Sequence, residues 1–219
     1  MENQAQAFDN NYWTSHEQRV EFRHEAALEL LSAADGPVMD VGCGDGLFLY
    51  LMKEKGIEGW GCDHSEAALD ACRRRGLVVE ACDFAAGVLP SRPARTATVL
   101  DVLEHVYEPE RLLGALHQSV ETLIVGVPNF VSLPARLQVF VGGVPENNRP
   151  RQGHVYWFTR DVLLRLLERT GWQVETVRWN LPWAHVPIVG PLVTMVSRLC
   201  PSLLGLSFVV RAKRVHRTH

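Results

Sequence analysis

The sequence predicts an α/β domain, a mostly parallel sheet with helices on both faces. Three observations carry that prediction. Short apolar runs, partly β-branched, alternate with segments of helical period between residues 38 and 127. A composition of 47% hydrophobic and 21% charged residues over 219 positions fits one domain with a sizeable buried core. The stretch VMDVGCGDGLFL, residues 38–49, sets Gly42, Gly44 and Gly46 directly between an apolar run and a helix, as a ligand-binding turn in such a sheet would.

Residues 16–34 place Val20, Ala27, Leu28, Leu30 and Leu31 near helical spacing, and Asp35-Gly36-Pro37 then stops the helix. A first strand follows at 38–41, and a helix over 47–55 is closed by Gly56. The alternation continues with a strand near 59–62, a helix over 65–75 ending at Gly76, and a strand at 77–81. After a loop at 87–93 come a strand at 96–100, a helix at 109–119 and a strand at 122–127. Five strands spaced by helices need a parallel sheet covered on both faces. Beyond Pro128 the pattern changes: a helix at 160–169, a strand at 173–179, an apolar insert at 181–205 and a last strand at 207–211.

Composition narrows the function classes. Lysine plus arginine is 22 against 25 acids, so the net charge of -3 argues against a general nucleic-acid binder. The five cysteines form no CxxC pair, so no disulfide framework and no metal ligand set is expected, and free thiols suit a reducing cytoplasm. The N-terminus MENQAQAFDNNYW has neither the basic start nor the apolar core of a secretory signal.

The glycine loop is not built for a phosphate. A dinucleotide turn runs G-x-G-x-x-G, whereas here the spacing is G-x-G-x-G and Leu47 takes the third position; the G-K-[ST] ending of a P-loop is absent. Asp40 at the end of the first strand and Asp45 in the loop would repel a pyrophosphate and suit an ammonium group. Asp63, 23 residues after Asp40 and at the end of the second strand, stands where an acid can bind both hydroxyls of a ribose. Its loss is expected to affect binding rather than folding. Asp83 and Phe84, after the third strand, offer a carboxylate and an aromatic face for an adenine. A ligand with adenine, free ribose hydroxyls, an ammonium and no phosphate is S-adenosylmethionine.

With these residues the chain resembles the class I S-adenosylmethionine-dependent methyltransferases over about residues 20 to 180, a reach set by the spacing of the motifs. VMDVGCGDG is similar to their first motif, GCDHS to the second, ACDF to the third and LDVLEHVYEP to the segment after the fourth strand. The resemblance implies a Rossmann-like, seven-stranded sheet. It implies that Gly42, Cys43, Gly44 and Gly46 approach the methionyl part and that Asp63, with His64 beside it, takes the ribose. Asp83 and Phe84 would flank the adenine, and Leu100 and Asp101 would line the other side of the cofactor. Downstream, VPNF, RLQVFVGG and His154 followed by FTRDVLLRLLERTGW resemble the methionine-biosynthesis MetW family, whose members are linked with a homoserine acyltransferase.

Other residues carry expectations of their own. Asp101, Glu104 and His105 serve either as helix-start chemistry or as site groups. His154 either fixes its turn by a hydrogen bond or acts as general base. Tyr12 and Trp13 either close over the ligand or pack on the domain. The insert is apolar but broken by Pro182, Pro187, Pro191 and Pro201, which argues against a membrane span. Followed by Arg211, Lys213, Arg214 and Arg217, it reads as a flap, a packed helix or a membrane-surface contact through residues 181–219.

Three regions are therefore expected: an N-terminal helical or lid segment at 1–35, a cofactor-binding domain at 36–180, and the insert, last strand and basic tail at 181–219. The expected activity is methyl transfer from S-adenosylmethionine to a small-molecule or lipid-like acceptor, with no nucleic-acid partner, in the cytoplasm or peripheral to the membrane. The alternative is a MetW-like accessory protein.

Overall fold

The computed structural model of the chain describes residues 19–145, 153–181, 187 and 190–215. Seven strands form one sheet: β1 (Val38–Val41), β2 (Gly59–Asp63), β3 (Val79–Ala81), β4 (Thr96–Leu100), β5 (Thr122–Pro128), β6 (Trp172–Trp179) and β7 (Ser207–Arg214). Their order is β3-β2-β1-β4-β5-β7-β6. The pairs among β1 to β5 are parallel, and β7 runs antiparallel to both β5 and β6. The chain winds outward from β1 to β3 and then starts again at β4 on the other side of β1. Such a reversal opens a ligand crevice at the carboxyl ends of the two central strands.

The helices, numbered among the described residues, are α1 (Phe22–Glu29), α2 (Leu47–Glu54), α3 (Glu66–Arg74), α4 (Pro109–Ser119), α5 (Leu133–Phe140), α6 (Arg160–Arg169), α7 (Gly190–Leu199) and α8 (Pro201–Leu204). Side chains of successive strand residues point to opposite faces, so β1 serves two cores. Met39 and Val41 join a buried cluster with Leu112 and Leu116 of α4 and Leu163 of α6. Val38 joins a second cluster with Ala27 of α1 and Phe48 and Met52 of α2. The expected helix-covered, mostly parallel sheet is thus the observed one.

Three elements differ from expectation. The helix expected over 16–34 ends at Glu29, and residues 16–18 lie outside the described residues. The Asp35 carboxylate accepts from the Ser32 amide at 2.9 Å and from its hydroxyl at 2.7 Å, which starts a separate 3₁₀ turn at Ala33–Asp35. Helix α5 was not anticipated, because none of its residues is buried and no apolar stripe marks it.

The third difference corrects the basic tail. Arg211, Lys213 and Arg214 lie in β7, which continues three residues beyond the expected end. Arg211 pairs with Asp35 at 2.7 Å and with Glu175 at 3.2 Å, and Lys213 pairs with Glu175 at 3.0 Å. Arg214 donates to the His117 carbonyl at 3.3 Å. These cations are engaged on the sheet, and Arg217 lies outside the described residues. Within the insert, the Asn129 side chain donates to the Ser202 and Gly205 carbonyls at 2.7 Å each, tying α8 to the end of β5. Of the expected breaks, Pro182 lies outside the described residues. No helix among the described residues is long and apolar enough to cross a membrane.

Candidate active site

The loop after β1 sits in the crevice that the strand order creates. Gly42, Gly44 and Gly46 have φ of 70°, 54° and 80°, the left-handed region that glycine enters without steric cost. At Gly42 a side chain is also excluded by space: a Cβ there would lie 2.5 Å from Cγ2 of Val102, in the loop after β4. The Gly42 and Cys43 amides both donate to the Cys62 carbonyl, at 2.8 and 3.1 Å, which clamps the loop to the end of β2.

The acids divide their work. Asp63 is 4% exposed and accepts from the Gly44 amide at 3.0 Å through Oδ2 and from the Ser65 amide at 2.9 Å through Oδ1. His64 Nδ1 also faces Oδ1 at 3.6 Å; a carboxylate has about four acceptor sites, so Asp63 retains capacity to accept from ribose hydroxyls. Burial pushes its carboxyl up while those two amides and His64 pull it down. Asp40 is 3% exposed and accepts from the Thr98 hydroxyl of β4 at 2.6 Å. Burial, with the Asp63 charge nearby, pushes it up to about 7. Asp45 is 3% exposed: its Oδ1 accepts from the Leu47 amide at 3.1 Å and its Oδ2 pairs with Arg75 at 3.2 Å. The ammonium-facing role expected of it is therefore filled by an arginine of this chain.

Cys43 packs beneath the loop against Gly61, and the Cys72 thiol, itself hydrogen-bonded to the Gly44 carbonyl at 3.2 Å, keeps the Cys43 thiol well above its usual range, as does burial. This is the setting of a packed thiol, not of an activated thiolate. Directly after β2, the His64 ring meets Phe84 edge-on at 5.1 Å. Phe84 is 7% exposed and belongs to the core, so His64 and not Phe84 presents the more open ring there. Asp83 is exposed and caps the short turn Phe84–Ala86 by accepting from the Ala86 amide at 3.0 Å.

After β4 the chain takes a strained step. Asp101 is the one non-glycine residue with positive φ among the described residues, at 52°, and its amide donates to the Gly126 carbonyl of β5 at 3.0 Å. Burial lifts its carboxyl to about 6, against the pull of Arg23. Arg23 of α1, which the sequence reading passed over, pairs with it at 3.0 Å. Thr98 and Asn129 were also missed. The signal for Asn129 was its place directly after Pro128 at a strand end. Leu100 is half-buried at the crevice edge. Tyr12 and Trp13 lie outside the described residues.

The fold brings His154 to the same loop. The Glu104 carbonyl accepts from the Val155 and Tyr156 amides at 2.8 and 3.0 Å, and the His105 and His154 rings meet edge-on at 4.8 Å. A separate cleft of about 790 Å3, lined by His117, Glu168, Gly171 and Val215, borders the start of β6 and shares no residue with the crevice.

A glycine loop clamped to the end of β2, a buried acid at the end of β2 and a sheet of this strand order make up the class I methyltransferase fold. The model of the family described as "Methyltransferase domain" matches residues 12–177, and the chain belongs to that family. As a member of that family it carries a methyltransferase domain. Its fold is similar to that of a SAM-dependent methyltransferase from Archaeoglobus fulgidus, with a TM-score of 0.64 at 19% identity over 97% of this chain and 100% of that one. It is also similar to magnesium protoporphyrin IX methyltransferase from Synechocystis PCC 6803 with bound SAH, with a TM-score of 0.65 at 17% identity over 95% and 94%. In sequence it is 34% identical over 89 residues to the tRNA (carboxymethyluridine(34)-5-O)-methyltransferase ALKBH8 of Macaca fascicularis. That match covers 41% of this chain and 13% of the longer relative.

Proposed function

We propose that the chain transfers the methyl group of S-adenosylmethionine to a small, apolar or lipid-like acceptor that enters beside the loop after β4. In this reading Gly42, Cys43, Gly44 and Gly46, with Asp40 behind them, receive the methionyl part. Asp63 and His64 hold the ribose, Asp83 and Phe84 border the adenine, and Leu100 and Asp101 line the opposite wall. The bound cofactor supplies a methyl group on a sulfonium, a good leaving group. The chain's task is then placement of the acceptor atom in line, with water excluded.

The observation that supports an apolar acceptor is α5. It starts a few residues beyond the carboxyl end of β5, on the crevice side, and exposes Leu137 and Val139 at 55% each and Phe140 at 87%. Trp157, 51% exposed, faces Phe130 at 6.0 Å in the adjoining segment. Contiguous exposed apolar groups of this kind mark binding surfaces. The test is transfer of labelled methyl from S-adenosylmethionine to separate pools of lipids, polar metabolites and tRNA. Labelling of the lipid pool is expected, and labelling confined to tRNA or polar metabolites would overturn the acceptor class. S-adenosylhomocysteine binding with no transfer to any pool would favour the MetW-like accessory role instead.

A further inference from the structure

We propose that Glu104, His105 and His154 bind one divalent transition-metal ion beside the methyl-transfer crevice. One ligand atom from each of the three lies within 4.8 Å of the others. Bonds of about 2.1 Å to one ion hold neighbouring ligand atoms about 3.0–3.4 Å apart, so side-chain movements that close the widest pair by up to about 1.5–2 Å complete the set. Two imidazoles and one carboxylate suit zinc, manganese, iron or cobalt better than calcium or magnesium, which favour all-oxygen sites.

An independent observation points the same way. Glu104 is 2% exposed, and neither of its carboxylate oxygens has a hydrogen-bond partner among the described residues. A buried carboxylate left without any donor is costly and rare, and a cation at this place would satisfy it. The surrounding backbone already holds the three groups together. The Val155 and Tyr156 amides donate to the Glu104 carbonyl, which fastens the segment of His154 against Glu104 and His105. Nδ1 of His105 lies 3.3 Å from the Gly153 carbonyl. This contact anchors the His105 ring to the segment that carries His154, as backbone carbonyls orient metal-bound histidines elsewhere.

The three-residue set leaves open positions on the ion. Its use in the reaction rests on the proposed methyl transfer: an acceptor oxygen bound there would be oriented and would lose its proton more readily. His154 then acts as a ligand and not as a general base, and the absence of a ligand set read from the sequence is revised. Glu104 and His105 are adjacent in the chain, but His154 lies 49 residues beyond His105, and only the fold joins them.

The test uses the full chain stripped with a chelator and titrated with Mn2+, followed by electron paramagnetic resonance, and with Zn2+ in competition with a chromogenic chelator. One saturable site per chain is expected, undisturbed by equimolar Ca2+. Glu104→Gln and, separately, His154→Ala are each expected to weaken it at least tenfold. S-adenosylhomocysteine titrated into the same samples reports folding and the cofactor site independently and is expected to bind all three proteins alike. Absence of a saturable site in the wild type, or equal metal affinity in both folded variants, overturns the proposal. Loss of S-adenosylhomocysteine binding with metal binding retained would count against the methyl-transfer reading alone.

Discussion

Arg23 and Asp101 meet at 3.0 Å and join α1 to the strained residue that follows β4. The left-handed φ of 52° costs Asp101 on the order of 1 kcal/mol relative to glycine. Asp101→Gly removes that strain and the ion pair together, and partly exposed pairs contribute at most about 1 kcal/mol. The unfolding midpoint in urea is therefore expected to change little, while S-adenosylhomocysteine binding weakens. A large drop in stability with unchanged binding would show the pair to be structural only.

Gly42→Ala meets both a positive φ and the Cγ2 atom of Val102 at 2.5 Å. A loss of about 2 to 4 kcal/mol is expected from strain and overpacking together. Combining it with Val102→Ala should recover the steric part and leave the φ cost. A double-mutant cycle by denaturant unfolding measures this coupling, and strict additivity would refute the close approach.

The structure changes what Asp63→Ala should do. From sequence alone folding is expected to be untouched, but the carboxylate satisfies the Gly44 and Ser65 amides in a buried place. Two orphaned donors cost about 1–3 kcal/mol each. A melting temperature of the ligand-free variant several degrees below wild type is expected, and an unchanged value would contradict the observed hydrogen bonds.

His24 gives an acid-sensitive contribution. It is 2% exposed, stacks on Phe48 at 6.0 Å, and its Nδ1 accepts from the Glu21 amide at 3.0 Å. Burial, helped by the Arg23 charge, lowers it to about 4 from an ordinary 6.5. The unfolded chain thus binds the proton more readily than the folded one. Stability from this group is full above about pH 6.5 and falls as pH drops toward 4, by on the order of 3 kcal/mol. His24→Leu should remove that part of the pH slope, measured by unfolding at pH 7 and pH 5.

Arg211→Gln is expected to destabilise the domain by about 1–3 kcal/mol, since Arg211 links β7 to Asp35, to Glu175 and to the Leu30 carbonyl. Cosedimentation with anionic vesicles is expected to respond little to this change, because the cation is committed to the sheet. A change in vesicle binding with no change in stability would restore the anchor reading.

The strand and helix alternation from residue 38 to 127 was legible because central parallel strands are apolar on both faces and glycines mark their loops. The end of the chain was less so. In β7 the buried Val209, Val210 and Ala212 sit among Arg211, Lys213 and Arg214, and charges that pair across the sheet look in sequence like a solvated tail. The insertion of β7 between β5 and β6 has no local signal at all. In the site, Gly42, Gly44, Gly46 and Asp63 were readable from spacing. The pairing of Asp45 with Arg75 and the meeting of His154 with Glu104 and His105 were not, because each joins residues 30 or more positions apart.

The most direct test of the account is a calorimetric titration of S-adenosylhomocysteine into the wild type and Asp63→Asn, with NAD as the control ligand. The account predicts one wild-type site in the micromolar range, about -8 kcal/mol, no response to NAD, and at least tenfold weaker binding in the variant. Binding of NAD with no response to S-adenosylhomocysteine, or equal S-adenosylhomocysteine affinity in both proteins, would contradict it.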